Sequence, residues 1–247
     1  MKPRPTMSRG AAFTLVELLV VVVVVVILTS LLLPSLLRGR NRAHAAACAG
    51  RLRHIGVGLT QYASDGGFYP IMDYRDPSGS GGASITWCEL IYPYMMGKPP
   101  PTSTTQVTDL FTDPAVQLKK GNWNRPYVLT YTINANRGTA GYTGIAGEPT
   151  NGMTVAQMDT LRVPHSLVPE PSRTFAVVDG RRSPYTFLEA NTHFVRNAGE
   201  MGIWPHEGYN NWLFCDGHVQ SLLASTTYGT NGTPTNCKGI WSRTMGD

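Results

Sequence analysis

Asp179, His206, Asp216 and His218 are the residues of this chain best suited to hold a metal, since imidazole nitrogens and carboxylate oxygens together suit divalent ions. Each also has a plainer reading. Asp216 stands directly before Gly217, and an Asp-Gly pair is explained by the backbone of a tight turn alone. His206 then caps or hydrogen-bonds a nearby loop, and His218 faces solvent. The plainer reading is adopted, so no metal and no other cofactor is expected. No catalytic set emerges either. There is no serine elbow, the acids Glu189, Glu200 and Glu207 are scattered, and His165 in RVPHSLVP reads as a loop residue rather than a base. The remaining chemistry is one carboxylate, Glu17, at the start of an otherwise apolar run over residues 13–34. An ionised group inside lipid costs roughly 2.5–3.5 kcal/mol on insertion scales. Any Leu would anchor better, so Glu17 calls for a partner or a task.

The run from Phe13 to Leu33 has about the 20 residues a helix needs to cross a bilayer. A basic segment with Lys2, Arg4 and Arg9 precedes it, and Arg38, Arg40 and Arg42 follow it, so charge alone does not orient the span. A secretory signal peptide would have a shorter apolar core, about 7–15 residues, ending in a small-residue cleavage site. An ordinary signal anchor would leave Glu17 without a purpose. Pro34 removes one backbone donor and is expected to kink the helix rather than stop it. Thr29 and Ser30, just upstream, are placed to satisfy freed carbonyls. Beyond Pro34, Leu52, Ile55, Leu59 and Tyr62 fall on one helical stripe, and Gly66-Gly67 ends the helix.

After Gly67 the pattern becomes turn-rich. Residues 77–84 and 97–106 read as loops, and TWCELIYPYM between them as a short helix or turn packed by Trp87 and Tyr94. Strands are expected at 127–133, 174–178, 211–215 and 218–222. The last two are joined by Asp216-Gly217, read as the centre of a type I′ hairpin turn with Gly217 at positive φ. Four cysteines, Cys48, Cys88, Cys215 and Cys237, have no CxxC spacing and allow three pairings. Cys215–Cys237 with Cys48–Cys88 is the preferred arrangement, and buried thiols are the alternative.

The net charge is +5, but much of it sits in the leader and just after the apolar run, leaving the remainder near neutral. Nothing points to nucleic acid, and no Walker, Rossmann or zinc-spacing motif is present. The C-terminal tail has too few acids for a calcium cage.

The start of the chain resembles the signal of type IV prepilins and type II secretion pseudopilins. The carriers are a small residue, then Phe-Thr-Leu-x-Glu, then an aliphatic helix with Pro34 further on. The resemblance implies cleavage between Ala12 and Phe13 by a membrane prepilin peptidase, which also N-methylates Phe13. Where the family usually has Gly before the cut, this chain has Ala12. HEGYNNWLFCDGHV resembles the H-x9-DG motif of a pilin-like family of planctomycete-type bacteria, carried here by His206, Asp216 and Gly217. CAGRLRHIGVGLTQYASDGGFYP and the W-x5-PY of Trp87 to Tyr94 resemble segments of the same family, whereas Asp113 stands where that family often has Cys.

The expectation is an α+β protein, with a long transmembrane-plus-amphipathic helix packed on an antiparallel β-sheet. Its parts are a leader, 1–12; a pilin helix, 13–65, with a membrane half, 13–34, and an amphipathic half, 35–65; and an extracytoplasmic domain, 66–247. The resemblance implies a non-enzymatic pilus or pseudopilus subunit in the inner membrane, N-terminus cytoplasmic and domain periplasmic. Its partners would be prepilin peptidase and other pilin or pseudopilin subunits, with Glu17 acting in assembly. The alternatives are a signal-anchored periplasmic metal-dependent hydrolase using Asp179, His206 and Asp216, or a surface glycan-binding module presenting Trp- and Tyr-bearing loops.

Overall fold

The computed structural model describes residues 14–71, 73–74, 85–100, 110–111, 129–134, 137–138, 141–142, 144–147, 153–183, 187–188, 206, 208–223 and 226–227. Ala12, Phe13, Cys237, Asp113, Glu189, Glu200, Glu207, the 77–84 loop and residues 101–106 lie outside them. The chain divides into two compact units, Met1–Arg42 and Ala43–Asp247. Helix α1, Leu15–Gly66, contributes to both.

In the first unit α1 is apolar all round. Its large apolar residues from Leu15 to Leu37 are exposed, and none of its most apolar stretch is buried. Soluble proteins rarely expose a continuous apolar surface beyond a few hundred Å². This is the one helix among the described residues that is long and apolar enough to cross a membrane. Pro34 lies inside the helix without ending it. The hydroxyls expected to serve the carbonyl that Pro34 frees, that of Ser30, bond elsewhere. Thr29 Oγ1 donates to Val25 O (2.9 Å) and Val26 O (3.0 Å), and Ser30 Oγ to Ile27 O (2.7 Å). A hydroxyl in a helix reaches only back to the carbonyls three and four residues before it, so neither Thr29 nor Ser30 can serve Ser30 O.

The first turn of α1 carries a feature that Thr14-x-x-Glu17 spells out. Glu17 Oε2 accepts from Thr14 N (2.9 Å) and Thr14 Oγ1 (2.8 Å), while Glu17 N donates to Thr14 Oγ1 (3.3 Å). This is a capping box, and its carboxylate sits where the helix dipole favours negative charge. The same device starts α2, Trp87–Met96, where Glu89 Oε2 accepts from Thr86 N (2.7 Å). It also starts α3, Val155–Asp159, where Gln157 Oε1 accepts from Thr154 N (2.8 Å).

In the second unit the lower part of α1 is amphipathic. Cys48, Leu52, Ile55, Leu59 and Ala63 form its buried stripe. Each large aliphatic side chain there contributes roughly 1.5–3 kcal/mol by leaving water. Gly67, at φ 77°, ends the helix, its N–H donating to Ala63 O (2.8 Å).

The sheet is built from β3 (Leu129–Asn134), β6 (Phe175–Ser183), β7 (Phe187–Leu188), β8 (Asn210–Phe214) and β9 (Val219–Leu222). Its order is β7-β3-β6-β8-β9. The four strands β3, β6, β8 and β9 are antiparallel neighbours, and β7 lies parallel on the β3 edge. The pairs β1 (Asp73–Tyr74) with β2 (Ile85–Thr86), and β4 (Arg137–Gly138) with β5 (Gly141–Tyr142), stand apart from it. Tyr131, Ile133, Val177 and Leu213 join the α1 stripe in one core. The helix approaches closely there: a Cβ on Gly56 would lie 2.9 Å from Leu213 Cδ1. Trp87 is fully buried against Phe111, while Tyr94, half-buried, packs edge-on to Tyr62 and donates to Asp65.

The hairpin between β8 and β9 differs from the expected turn. Gly217 N donates to Phe214 O (2.9 Å), and Phe214 N to His218 O (2.9 Å). Cys215 and Asp216 are therefore the central residues, and Gly217 follows them at φ 91°. This is the three-residue connection closed by a left-handed glycine, not a two-residue type I′ turn. Asp216 Oδ1 holds it by accepting from His218 N (3.1 Å). Among the described residues beyond its two chain neighbours, no atom would lie within 4 Å of a Cβ on Gly217, so there backbone strain is what opposes a side chain. Gly217→Val should cost about 1–3 kcal/mol in a denaturant melt and Gly217→Asn clearly less.

Candidate functional site

Three elements bring polar side chains together in the core. Cys48 extends the α1 stripe, four residues before Leu52. Asp179 lies on the central strand β6, opposite Tyr131 of β3. His206 begins a tight turn into β8, in which Tyr209 N donates to His206 O (3.1 Å) and Gly208 takes φ 97°. Relative exposures are 0% for Cys48, 1% for Asp179 and 7% for His206.

Asp179 is the centre. Its Oδ2 accepts from the Cys48 thiol (2.9 Å) and faces His206 Nε2 (3.2 Å). Its Oδ1 accepts from Asn211 N (2.8 Å) and Asn210 Nδ2 (3.3 Å). Tyr131 OH lies 3.1 Å from Cys48 Sγ, and Asn211 Nδ2 donates to Ala45 O of α1 (3.2 Å). A buried carboxylate is tolerable only when its lone pairs are met in this way. The ligand-type atoms of Cys48, Asp179 and His206 all lie within 4.8 Å of one another.

Of the four metal candidates read from the sequence, the structure joins Asp179 with His206 and separates off the other two. Asp216 and His218 form an exposed pair at the hairpin, with His218 Nδ1 2.6 Å from Asp216 Oδ1 and its ring stacked on Phe214 at 4.3 Å. His206 and Asp216-Gly217 therefore lie at opposite ends of β8, and the nine residues between them are the strand and its approaches. His165 sits in a short 3-10 turn, where its N–H donates to Gly67 O (3.1 Å). Tyr131, Asn210 and Asn211 are not among the site residues read from the sequence, and Cys48 is read there only as a disulfide candidate. The signals available were the place of Cys48 on the helical stripe and two consecutive Asn in an otherwise apolar strand.

The expected Cys48–Cys88 disulfide is not formed, and Cys237, the expected partner of Cys215, lies outside the described residues. Cys48, Cys88 and Cys215 are thiols. The Cys48 sulfur is directed at Asp179 instead of Cys88, while Cys88 is fully buried on α2. Burial, the largest influence, pushes the Cys88 thiol well up and that of Cys215 up to about 12. Thiolate, the species that exchanges and oxidises, is thereby disfavoured at both. Stability from the raised Cys215 pKa is fully present below the unfolded value of about 8.5 and is lost as pH rises toward about 12. At pH 8 the native chain should therefore react slowly with a thiol reagent at Cys88 and Cys215, and promptly once unfolded, as residue-resolved mass spectrometry would report.

The fold and site together define an α+β chain with a long N-terminal apolar helix, a four-strand antiparallel sheet and a buried Cys-Asp-His cluster between helix and strands. The chain matches no family model, no curated protein and no solved structure.

Proposed function

We propose that this chain is a prepilin-like structural subunit of a type IV pilus or a type II secretion pseudopilus. The observation that carries the reading is helix α1: 52 residues, apolar and uncovered in its first half, with Glu17 in the first turn and a core-forming stripe in its last. One helix thus has two different covers to find. Its lower part is covered by the sheet of its own chain. Its upper part is covered by lipid before assembly and by the same helix of neighbouring subunits afterwards.

Before assembly the capping box holds Glu17, so its charge is hydrogen-bonded at a helix start rather than bare in hydrocarbon. After cleavage at Ala12–Phe13, the new amine of Phe13 on one subunit becomes a partner for Glu17 of the next. A buried charge of this kind specifies register better than it adds stability. Repeated head-to-tail addition of one surface generates an open helical filament. In this reading the N-terminus is cytoplasmic, the sheet-bearing unit periplasmic, and prepilin peptidase the processing partner.

The test is expression beside a pilus or pseudopilus assembly system with and without active prepilin peptidase. The expected result is chain in the sheared filament fraction only when the peptidase is active. Chain confined to the membrane in both cases opposes the proposal.

A further inference from the structure

We propose that Cys48, Asp179 and His206 form a binding site for one divalent transition ion, zinc in the first place, which clamps the lower part of α1 to the sheet. The inference departs from the expectation of no cofactor and does not rest on the filament reading. Thiolate, carboxylate oxygen and imidazole are the three ligand types of protein zinc sites. Here one of each converges from a helix, a central strand and a turn, with all three ligand atoms within 4.8 Å. Ligand atoms at about 2.0–2.3 Å from a tetrahedral zinc stand roughly 3.3–3.6 Å apart. The observed separations are 2.9 Å from Cys48 Sγ to Asp179 Oδ2 and 3.2 Å from that oxygen to His206 Nε2, so to reach tetrahedral spacing the first must open by roughly 0.6 Å and the second by roughly 0.1 Å, while the sulfur and the imidazole nitrogen, within 4.8 Å of each other, must come to about 3.6 Å.

Charge and proton balance also fit. Binding expels one proton, from the Cys48 thiol. His206 binds as neutral imidazole through Nε2, its proton residing on Nδ1. Thiolate and carboxylate then neutralise the two positive charges, as burial demands. For Asp179 and Cys48, surrounding groups orient the ligand in the manner of established metal sites. Asn211 N–H and Asn210 Nδ2 hold Asp179 Oδ1, leaving Oδ2 for the ion, and the Tyr131 hydroxyl stands 3.1 Å from the sulfur to donate to a thiolate. Asp216 and His218 take no part. Because the ligands converge only in the folded chain, ion binding is coupled to folding.

The experiment uses the full-length chain, reduced and solubilised in detergent, with cobalt(II) as the spectroscopic probe and zinc as competitor. The expected result is a thiolate-to-cobalt charge-transfer band that saturates at one equivalent, is abolished by zinc, and is absent from Cys48→Ser. Cys48→Ser keeps a hydroxyl that can donate to Asp179, so it preserves the polar network while removing the sulfur. Zinc should raise the melting temperature of the wild type, chelator should reverse the rise, and His206→Ala should weaken zinc binding by more than about tenfold. Should either variant fail to fold, X-ray absorption of the wild-type cobalt form decides, with one sulfur and one imidazole expected. A folded wild type with no band and a chelator-insensitive melt overturns the proposal. So does a band that survives Cys48→Ser, which would place the cobalt on another thiol.

Discussion

Asp179→Ala should cost the folded chain about 3–5 kcal/mol, a large share of the roughly 5–15 kcal/mol that holds a domain of ordinary stability folded. Asp179 lies on the central strand and is 1% exposed, and its side chain faces donors from Cys48, His206, Asn210 and Asn211. Removing it takes the acceptor from the buried Asn211 N–H, and an unsatisfied buried donor costs about 1–3 kcal/mol, whereas Asn210 Nδ2 keeps its bond to Asp179 O (2.7 Å). It also frees the Cys48 end of α1 from the strand on which it rests. Asp179→Asn keeps one oxygen but turns an amide toward some of the donors, so it should fall between wild type and Ala. Denaturant melts of the full-length chain followed by tryptophan fluorescence provide the check, because Trp87 and Trp212 are fully buried. A loss below about 1 kcal/mol for Asp179→Ala would mean that the carboxylate is not the centre of the network.

Most of the sheet was legible because its longer strands carry apolar and β-branched runs. The expected strands at 127–133, 174–178, 211–215 and 218–222 overlap Leu129–Asn134, Phe175–Ser183, Asn210–Phe214 and Val219–Leu222. Strand β6 extends past the expected end because Asp179-Gly180-Arg181-Arg182 carries no apolar signal, although it continues the ladder with β3. The short strands β1, β2, β4, β5 and β7 have two residues each, too few for any periodicity to register. The stripe of α1 was readable through Leu52, Ile55 and Leu59, and Cys48 continues it. What faces Cys48 was not readable, since Asp179 lies 131 residues away and only the folded sheet brings it there. Asp216 and His218 qualify as candidate ligands by residue type alone, and β8 carries them to its other end, where they form the exposed pair at the turn. The capping box at Thr14 and Glu17 is legible in the sequence as a T-x-x-E pattern at the head of the apolar run.

That box sharpens the second large prediction. Glu17→Leu removes both the cap and the charge, whereas Glu17→Gln removes the charge and retains an N3 side chain able to accept from Thr14. If Glu17 serves only the helix start, Gln should behave as wild type and Leu should lose about 1 kcal/mol of local stability. If Glu17 pairs with a neighbouring subunit's amine, both variants should insert into the membrane at least as well as wild type. Both should then fall by about tenfold or more in the filament fraction, since a lost charge-assisted contact of about 1.5–3 kcal/mol corresponds to that factor. Quantitative blotting of membrane and sheared fractions distinguishes the two. Wild-type recruitment of Glu17→Gln would remove the assembly role and leave the cap.

The most direct measurement for a prepilin-like subunit is the N-terminus of the mature chain. Intact-mass and N-terminal peptide analysis of protein recovered from cells with active prepilin peptidase should find the chain beginning at Phe13, with one added methyl group on its amine. Ala12→Gly should process as fast as wild type or faster. Chain that retains Met1–Ala12 in those cells, or that is cut within or after the apolar run, would contradict the proposed function outright.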